Sequence, residues 1–364
     1  MPSPEPLHIV GWDIGGAHVK ACLMRSGRVV DVAQWACPLW QGIEHLVHVL
    51  DIARARWPQL VSATHAVTMT GEMTDLFEHR EEGVQRIATA LADTLAPSAA
   101  VALRFFTGED SWCAAAEVGA HWAHIASANW RATASHAAQC IDEGVLIDIG
   151  STTTDLIAFR AGRVLGTSRS DAQRLASGEL VYQGAVRTPL CALGPRVAWR
   201  GVEMNVMNEF FATTADVYRL TGELDPAHDL HAAADNAPKD RTATEKRLAR
   251  MIGLDAREAS SDDWLAFAHT WRARQVDELA GQLRRVVAAH SLSDTAVALS
   301  AGCGDFLIAD VVAQAGPTRE HLRYGVDVAR IAADALPGTD AAARWAQVCA
   351  PAVAVAALLD TGLR

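Results

Sequence analysis

The sequence predicts an α/β protein made of two similar domains, and three observations support this fold class. The chain has 364 residues, which corresponds to about two domains of ~150 residues each. Two segments, 7–16 and 144–150, share an apolar run followed by Asp-Ile-Gly, and their aspartates, Asp13 and Asp148, lie nearly one domain length apart. Around both segments, short apolar strands alternate with helical patterns, as is typical of α/β architectures.

The position of the repeat sets the expected domain organisation. We expect a first domain at residues 1–143 and a second at 144–339, with a helical insertion at about 205–289. Residues 340–364 predict a C-terminal helix that packs back on the first domain. The repeat suggests that the two domains face one another across a central cleft.

The first repeat begins an antiparallel meander. A turn signal at Ser26–Gly27 separates two strands that we expect at Lys20–Met24 and Gly27–Val32. The alanine-rich stretch Trp112–Ala138 contains no turn residue except Gly119, so it is predicted to be helical throughout. Between these regions, hydrophobic periodicity predicts a helix at Gly42–Ala55, a strand at Ala63–Thr70, an amphipathic helix at Arg80–Leu95 and a strand at Ala100–Phe106.

The second repeat predicts another strand pair, at 144–159. The insertion begins with an aromatic pattern at Met207–Leu220 that favours a helix, and charged helices follow from Ala243. Between them, the polar segment Gly222–Thr242 is either a lid or a surface loop. The remaining elements are a strand at Ala296–Gly304 and a helix at Asp340–Leu359 that Pro351 interrupts.

Composition excludes several classes of protein. The formal net charge is −11, whereas a general nucleic-acid-binding protein needs a basic surface to displace counterions. No apolar run approaches the ~18 residues that span a membrane, and no secretory signal pattern is present. We therefore expect a cytoplasmic protein that acts on small molecules and binds neither nucleic acid nor membrane. Its oligomeric state stays open.

The seven cysteines do not indicate a structural metal or disulfide framework. None forms a Cys-x-x-Cys pair, and no histidine cluster has zinc-finger spacing. We expect them to be reduced, buried thiols, as in a reducing cytosol.

The two Asp-Ile-Gly corners have the features of phosphate-binding loops. Glycines let the backbone approach an anion, and successive N–H groups of a tight turn form a concave anion site. Asp13 is followed by Gly15–Gly16, and Asp148 by Gly150 and the hydroxylated run Ser151–Thr153. A strand-end aspartate is suited to hold hydrated Mg²⁺ on the phosphates. A single corner is equally well explained by a plain turn, but two at domain spacing favour an oligophosphate ligand.

These motifs resemble those of the acetate and sugar kinase, actin and chaperone-ATPase superfamily. Its first phosphate loop is similar to Asp13–Lys20, its second to Asp148–Asp155, and its adenosine motif to Gly302–Gly304. The resemblance implies two ribonuclease H-like (actin-like ATPase) domains and a nucleotide-like pocket at Gly302, Gly304 and Asp305. One departure is Ala17, where a Thr or Ser usually follows the two glycines. A hydroxyl donor to phosphate is missing there, so the resemblance supports ATP hydrolysis less strongly than it supports the fold.

Further segments are similar to one narrower family, the hydantoinase-like proteins linked to tetrahydromethanopterin-dependent one-carbon transfer. The second loop resembles the hydantoinase/oxoprolinase branch, and the similarity extends from Gly11 to about Asp310. The segments that carry it are Thr68–Glu72, Asn129–Ala134, Gly178–Tyr182, Arg187–Pro189 and Asn208–Arg219.

The resemblance implies a transferase of methanofuran biosynthesis. Such an enzyme joins the phenol oxygen of a γ-glutamyl-tyramine or tyrosine unit to an aminomethylfuran-methyl diphosphate and expels diphosphate. The furan ring stabilises the developing cation, so the protein has to neutralise the leaving oxygens with Mg²⁺ and backbone N–H groups. Ala17 is compatible with this chemistry, because in this reaction no γ-phosphoryl group is attacked by water and no hydroxyl donor is needed for it. Whether ATP binds stays open.

Candidate functional residues follow from the loops and this chemistry. Asp13 and Asp148 are the expected metal ligands and catalytic carboxylates. Glu72 and Glu179 are candidate bases for the phenol proton, and each is alternatively a helix cap or an arginine partner. For Lys20 the alternative is a solvated lysine on a strand, and for Arg187 a surface ion pair. The expected phosphate-binding residues are Gly15, Gly16, Ala17, His18, Lys20, Gly150, Ser151, Thr152, Thr153 and Arg187.

Two other functions stay open at this point. One is an ATP-dependent amidohydrolase of the hydantoinase/oxoprolinase kind, or a small-molecule kinase. The other is a non-catalytic nucleotide-binding protein of one-carbon metabolism. No motif encodes the phenolic acceptor or its number of glutamates.

Overall fold

The computed structural model describes residues 7–96, 101–108, 111–317 and 319–363. Its strands are β1 (His8–Ile14), β2 (His18–Arg25), β3 (Arg28–Ala36), β4 (Thr64–Met69), β5 (Leu103–Phe106), β6 (Trp112–Ala114), β7 (Glu143–Ile149), β8 (Thr154–Arg160), β9 (Arg163–Val164), β10 (Leu180–Val181), β11 (Arg196–Trp199), β12 (Val202–Asn205), β13 (Val297–Ala301) and β14 (His321–Arg323). Its helices are α1 (Glu44–Arg56), α2 (Arg80–Leu95), α3 (Val118–Ile125), α4 (Asn129–Cys140), α5 (Asp171–Ser177), α6 (Thr214–Thr221), α7 (Arg241–Arg250), α8 (Ser261–Ala289), α9 (Ile308–Ala315), α10 (Thr339–Val348) and α11 (Ala350–Leu363).

Contacts divide the chain into two compact units, each discontinuous in sequence. The first comprises residues 1–144, 157–171 and 322–364, and the second comprises 145–156 and 172–321. The domain boundaries expected from the sequence, after residues 143 and 339, stay a prediction.

Two sheets of the described residues are each organised around a strand that ends in Asp-Ile. The first has the order β3-β2-β1-β4-β5-β6, in which β1 is antiparallel to β2 and parallel to β4. The second has the order β10-β8-β7-β13-β14, with β9 beside β8. In both, the Asp-Ile strand lies between the strand that follows it and a strand from later in the chain. The internal repeat seen in the sequence is therefore also a repeat of strand order.

Helix α11 lies directly on the centre of the first sheet. A Cβ atom at Gly11 would be 2.0 Å from the carbonyl oxygen of Ala352 and 2.9 Å from the Cβ of Ala356. Only glycine permits this approach, because any other residue would overlap the helix backbone. On the same unit, helices α1 and α2 bury Leu50 and Leu91 in the core that contains Trp12.

The second unit is organised around α8, its longest helix in the described residues. Ser260 caps this helix, since its Oγ accepts the N–H of Asp263 at 3.2 Å. Trp199 of β11 stacks on Trp264 with ring centroids 4.6 Å apart, and Phe267 contacts Trp199 edge-on at 5.2 Å. These rings bury the hairpin β11–β12 against α8.

Ion pairs hold the polar segment 222–242 in place. Asp229 accepts from Arg219 Nε at 2.6 Å and from Lys239 Nζ at 2.9 Å. Beneath it, Arg247 is fully buried and donates from Nε to Asp216 Oδ1 at 2.7 Å. The segment is therefore anchored to α6 through Asp229 and Arg219, and the ion pair between Asp229 and Lys239 connects its two ends.

Two predicted helices are wrong in part. Residues 112–114 form strand β6, because Trp112 pairs with Phe106 of β5 and their rings meet edge-on at 5.5 Å. Tertiary pairing overrides the local helical preference there. In the insertion, α6 begins only at Thr214, because the carboxylate of Asp216 accepts the N–H of Thr213 at 3.0 Å and fixes the helix start.

The break in the C-terminal helix lies at Cys349 rather than at Pro351. Pro351 is the second residue of α11, where a helix tolerates the missing N–H. No single helix of the described residues is long and apolar enough to span a membrane. Only α10 and α11 pass that test together, as a pair bent by 100°.

Replacing Gly11 by alanine tests the contact between α11 and β1. The added methyl group overlaps the helix backbone, so Gly11→Ala is expected to lower the free energy of unfolding by about 1–3 kcal/mol, measured by chemical denaturation. The control is Gly362→Ala, a change within α11 where a Cβ meets nothing within 4 Å. Equal stability of the two variants would contradict the packing described here.

Candidate active site

The turn between β1 and β2 is the first predicted phosphate loop. The N–H of Gly15 donates to the carbonyl oxygen of His18 at 2.9 Å and closes the turn. The carbonyl oxygens of Gly16 and Ala17 accept N–H groups from the segment that follows β3. The loop is thus fixed by backbone hydrogen bonds, and the His18 side chain beside it is buried.

The turn between β7 and β8, the second predicted loop, is closed in the same way. The N–H of Gly150 donates to the carbonyl oxygen of Thr153 at 2.9 Å. Because Gly15 and Gly150 are equivalent positions of the repeat, both loops depend on the same backbone bond. The carbonyl oxygens of Gly150 and Ser151 then accept the N–H groups of residues 185–187 at 2.8–3.0 Å.

Gly184 lies tightly against the second loop. A Cβ atom there would be 2.5 Å from the backbone nitrogen of Thr152, so only glycine fits. Its carbonyl oxygen accepts from Thr214 Oγ1 at 2.9 Å and Gln275 Nε2 at 3.1 Å, and its N–H donates to Thr188 Oγ1 at 2.8 Å. Helices α6 and α8 therefore position the second loop through Gly184.

Hydroxyl and guanidinium donors surround the second loop. Ser151, Thr152 and Thr153 are partly exposed, whereas Thr154 is buried and donates to a backbone carbonyl oxygen at 2.7 Å. Arg187 Nη1 donates to Thr152 Oγ1 at 3.2 Å. Burial lowers the pKa of the Arg187 guanidinium from its ordinary value, because its charged form loses solvation. A bound anion would restore that lost stabilisation, and this donor set suits phosphate oxygens.

The expected nucleotide-like residues pack on the end of β7. The N–H of Gly304 donates to the carbonyl oxygen of Ile149 at 2.8 Å. A Cβ atom at Gly302, where φ is +89°, would be 2.5 Å from Asp148 Oδ1. Asp305 is partly buried and begins a short 3-10 turn. The structure thus brings Gly302 and Gly304 together with the strand-end carboxylate Asp148.

Asp13 is buried at the end of β1 among polar neighbours. It is aligned with Thr68 of the parallel strand β4. Asn129, at the start of α4, donates from Nδ2 to Asp13 Oδ1 at 3.4 Å, and its Oδ1 accepts the N–H of Trp130 at 2.7 Å. Because β1 and β4 are parallel, their carboxyl ends lie at one edge of the sheet. Glu72 follows β4 at this edge.

Glu72 lies in a buried polar cluster of the first unit. Its Oε1 lies 2.8 Å from Ser127 Oγ and 3.5 Å from Arg80 Nη2, while its Oε2 has no hydrogen-bond partner among the described residues. Burial raises the pKa of Glu72 to about 7, although the bond from Ser127 and the charge of Arg80 act to lower it. A carboxyl group with this pKa exchanges a proton near neutrality, as general acid–base catalysis requires.

Glu179 and Lys20 are engaged by neighbouring groups. Glu179 accepts from Ser177 Oγ at 2.9 Å, and its other oxygen lies 3.3 Å from His290 Nε2. Lys20 Nζ donates to the carbonyl oxygen of Val348 at 3.0 Å. These contacts differ from the alternatives expected for the two residues, a solvated lysine and a helix cap or arginine partner. The catalytic and phosphate-binding roles of Glu179 and Lys20 stay predictions.

Sequence analysis did not identify several residues of these sites. Asn129 was part of a recognised motif but had no assigned role, and Ser127, Arg80 and Gln275 were not singled out. Ser127 adopts φ +53° between α3 and α4, a conformation that its residue type does not indicate. Gln275 lies in α8, where periodicity predicts burial but not a bond to a glycine carbonyl.

Asp13 and Asp148 are each a carboxylate of the type that binds Mg²⁺ on a phosphate. Among the described residues no group of three or more His, Cys, Asp or Glu side chains forms a metal site. Mg²⁺ held by substrate phosphates needs only one or two protein carboxylates, since it keeps several waters. Asp13 beside Asn129 provides one such carboxylate. Asp148, in the second unit, is a further strand-end carboxylate, and a Cβ atom at residue 302 would lie 2.5 Å from its Oδ1.

Comparison with protein families assigns the chain. The family model described as hydantoinase/oxoprolinase matches residues 63–329, more than half of the sequence. The chain belongs to the hydantoinase/oxoprolinase family. The second loop, Gly184, Glu72 and Ser127 all lie within the matched region, whereas Asp13 and the first loop precede it.

Two curated relatives carry the same name, (4-{4-[2-(gamma-L-glutamylamino)ethyl]phenoxymethyl}furan-2-yl)methanamine synthase. The protein of Methanocaldococcus jannaschii is 26% identical over 321 residues, which cover 88% of this chain and 93% of the relative. The protein of Methanococcus vannielii is 26% identical over 202 residues, covering 54% of this chain and 89% of the relative.

Among solved structures, nucleotide-free acetone carboxylase is similar to this hydantoinase/oxoprolinase chain. The TM-score is 0.52 at 11% identity, covering 83% of this chain and 66% of that one. This similarity concerns the fold alone. Together with the repeated strand order, it confirms the expected fold class of two ribonuclease H-like (actin-like ATPase) domains.

Substituting Glu72 tests its raised pKa. Because the pKa rises from 4.5 to about 7 on folding, the folded state favours the protonated form, and stability falls as pH rises through that interval. Glu72→Gln removes this dependence, so its stability relative to the wild type should increase by about 3 kcal/mol between pH 4 and pH 8. Denaturation curves across this pH range measure the difference. The exposed Glu78→Gln is the control, and parallel curves for Glu72→Gln and wild type would contradict the burial effect.

Gly184→Ala tests the support of the second loop. The methyl group displaces residues 151–152, so binding of Mg²⁺-diphosphate should weaken by about tenfold, or 1.4 kcal/mol, by isothermal titration calorimetry. The control is Gly119→Ala on α3, where the nearest atom is the end of the flexible Gln85 side chain. Unchanged affinity in Gly184→Ala would exclude this loop as the phosphate site.

Proposed function

We propose that this protein is a transferase of methanofuran-type cofactor biosynthesis. It joins the phenol oxygen of a γ-glutamyl-tyramine or tyrosine unit to an aminomethylfuran-methyl diphosphate and releases diphosphate. The similarity to the Methanocaldococcus jannaschii synthase carries this proposal, because it extends over 88% of this chain and 93% of that protein. That synthase is named for a phenoxymethyl-furan, and the proposed reaction forms this ether bond.

The proposed reaction exchanges one carbon–oxygen bond for another. The phenol oxygen bonds to the furfuryl carbon, the bond from that carbon to the diphosphate oxygen breaks, and the phenol proton passes to a base. The furan ring spreads positive charge at the carbon. The largest demand on the protein is therefore stabilisation of the negative charge on the leaving group.

The loops supply groups for the diphosphate in this proposal. Arg187 and the hydroxyls of residues 151–153 bind its oxygens at the second loop, and the backbone of residues 15–18 contributes at the first. Asp13 and Asp148 would be the protein ligands of Mg²⁺. When bound, Mg²⁺ neutralises charge on the departing diphosphate.

Glu72 is the proposed base. Its Oε2 has no partner among the described residues, and its pKa of about 7 permits proton uptake near neutrality. Both oxygens of Glu179 contact other side chains, so Glu72 is preferred over it. Ala17 offers no hydroxyl to a γ-phosphate, and we therefore propose a diphosphate ester rather than ATP as the ligand of the loops.

Direct assay tests this function. Purified protein with Mg²⁺, the furan diphosphate and γ-glutamyl-tyramine is expected to release one diphosphate per ether formed. Mass spectrometry measures the ether product. Asp13→Asn and Asp148→Asn should each lower kcat by about 100-fold or more, as loss of transition-state charge stabilisation does. The exposed Asp51→Asn is the matched control and should be fully active.

Other outcomes distinguish the remaining functions. ATP turnover on another acceptor, without ether formation, would indicate that the protein is a kinase or an amidohydrolase and not the proposed transferase. Function in cells that survives both Asp13→Asn and Asp148→Asn would indicate a non-catalytic binding protein.

A further inference from the structure

The hydroxyl of Ser127 is in contact with two carboxyl groups. Its Oγ lies 2.8 Å from Glu72 Oε1 and 3.0 Å from Asp171 Oδ2. Arg80 Nη2 donates to the same Oγ at 3.2 Å. All four residues belong to the first compact unit, although they come from separate parts of the chain.

With both carboxyl groups ionised, the two short contacts of Ser127 Oγ share a single hydrogen. A serine hydroxyl has one hydrogen and can donate to one acceptor only. Two ionised carboxylates at 2.8 and 3.0 Å from Oγ would leave one oxygen–oxygen contact without a hydrogen. A proton on one of the two carboxyl groups, donated to Ser127 Oγ, would supply the missing hydrogen.

Burial decides which carboxyl group holds this proton. Glu72 is 1% exposed, whereas Asp171 is partly exposed at the start of α5. Desolvation and the charge of Asp171 raise the pKa of Glu72, and Ser127 and Arg80 counteract only part of that effect. Arg80 from α2 and Asp171 from α5 are the charged groups that act on Glu72 among the described residues.

Backbone conformation supports a specific role for Ser127. Its φ of +53° lies in the left-handed region, which is strained for a residue with a side chain but not for glycine. Glycine would avoid this strain but would not provide a hydroxyl between the two carboxyl groups.

We propose that Glu72, Ser127 and Asp171 form a proton relay that carries the phenol proton from the substrate to solvent. This inference rests on the proposed transferase function, with Glu72 as its base. In the resting state Glu72 Oε1–H donates to Ser127 Oγ, and the hydroxyl of Ser127 donates to Asp171. Asp13 and Asp148 take no part in the relay.

Each step of the relay conserves protons. The Glu72 proton moves to Ser127 Oγ while the Ser127 proton moves to Asp171, which releases it to solvent and leaves Glu72 ionised. Glu72 Oε2 then accepts the phenol proton as the ether bond forms and diphosphate departs. A half-turn of the carboxyl group returns the proton to the Ser127 side, so the net result is one proton delivered to solvent per turnover.

Infrared spectroscopy tests the shared proton without substrate. The carboxylic C=O band that disappears in Glu72→Gln is assigned to Glu72 and titrated with pH. Asp171→Asn should lower the midpoint of this band, because it removes a like charge, and Ser127→Gly should also change it while keeping the backbone conformation. Ser26→Gly, a serine at φ +50° in an exposed turn, is the matched control and should leave the midpoint unchanged.

Kinetics test the use of the relay in turnover. Asp171→Asn and Ser127→Gly should lower kcat by about tenfold to 100-fold with little change in KM, within the range for impaired proton transfer. They should also shift the pH profile and raise the solvent isotope effect on kcat.

The two measurements separate the relay from the transferase activity. A Glu72 midpoint that is the same in the wild type, Asp171→Asn and Ser127→Gly overturns the relay, whatever the activity. If the Glu72 midpoint shifts in the variants but the protein forms no ether, the shared proton is supported and the phenol is overturned as the source of the transferred proton. Normal kcat and pH profile in both variants, with ether formation intact, overturn the role of the relay in catalysis.

Discussion

The geometry of both predicted phosphate loops depends on one backbone hydrogen bond, which is formed once in each loop. In each half of the repeat a glycine N–H donates to the carbonyl oxygen three residues later, from Gly15 to His18 and from Gly150 to Thr153. Because the bond uses no side chain, the turn keeps its shape while the residues within it vary. This freedom allows alanine at position 17 and hydroxylated residues at 151–153 on equivalent turns. The same scaffold thus presents different chemistry in the two halves.

Many residues around the second loop hold its backbone in place and have no proposed role in the reaction. Thr188, Thr214 and Gln275 all bond the backbone of Gly184, and Tyr218 donates to Gln275 Oε1 at 2.5 Å. Three of these residues lie in segments by which the sequence resembles its family. Their structural role explains why such segments are distinctive, since a tight backbone contact tolerates few substitutions. A recognisable motif therefore does not by itself identify residues that touch substrate.

The sequence predicts those parts of the molecule that are determined locally. Helix α2 has the predicted bounds, Arg80–Leu95, because its apolar residues follow helical spacing. Both loops follow from Asp-Ile-Gly after an apolar strand. Strand β6 could not be predicted, because it exists only through pairing with β5.

The buried cluster around Glu72 lies beyond sequence prediction for a related reason. Ser127 lies between α3 and α4, and Asp171 is the first residue of α5. Only the tertiary structure brings both of them to Glu72. The positive φ of Ser127 has no signature in its residue type. Glu72 itself was a candidate from sequence, but its protonation state depends on this assembly.

The close contact of α11 with β1 has a consequence for biosynthesis. On the ribosome the amino-terminal strand emerges first, but the helix that covers Gly11 is translated almost a full chain length later. Until then β1 can pair with β2 in a local hairpin, but its apolar face lacks the helix that covers it, because this contact joins residues distant in sequence. A chaperone that binds β1 during translation would cover this apolar face until α11 is made.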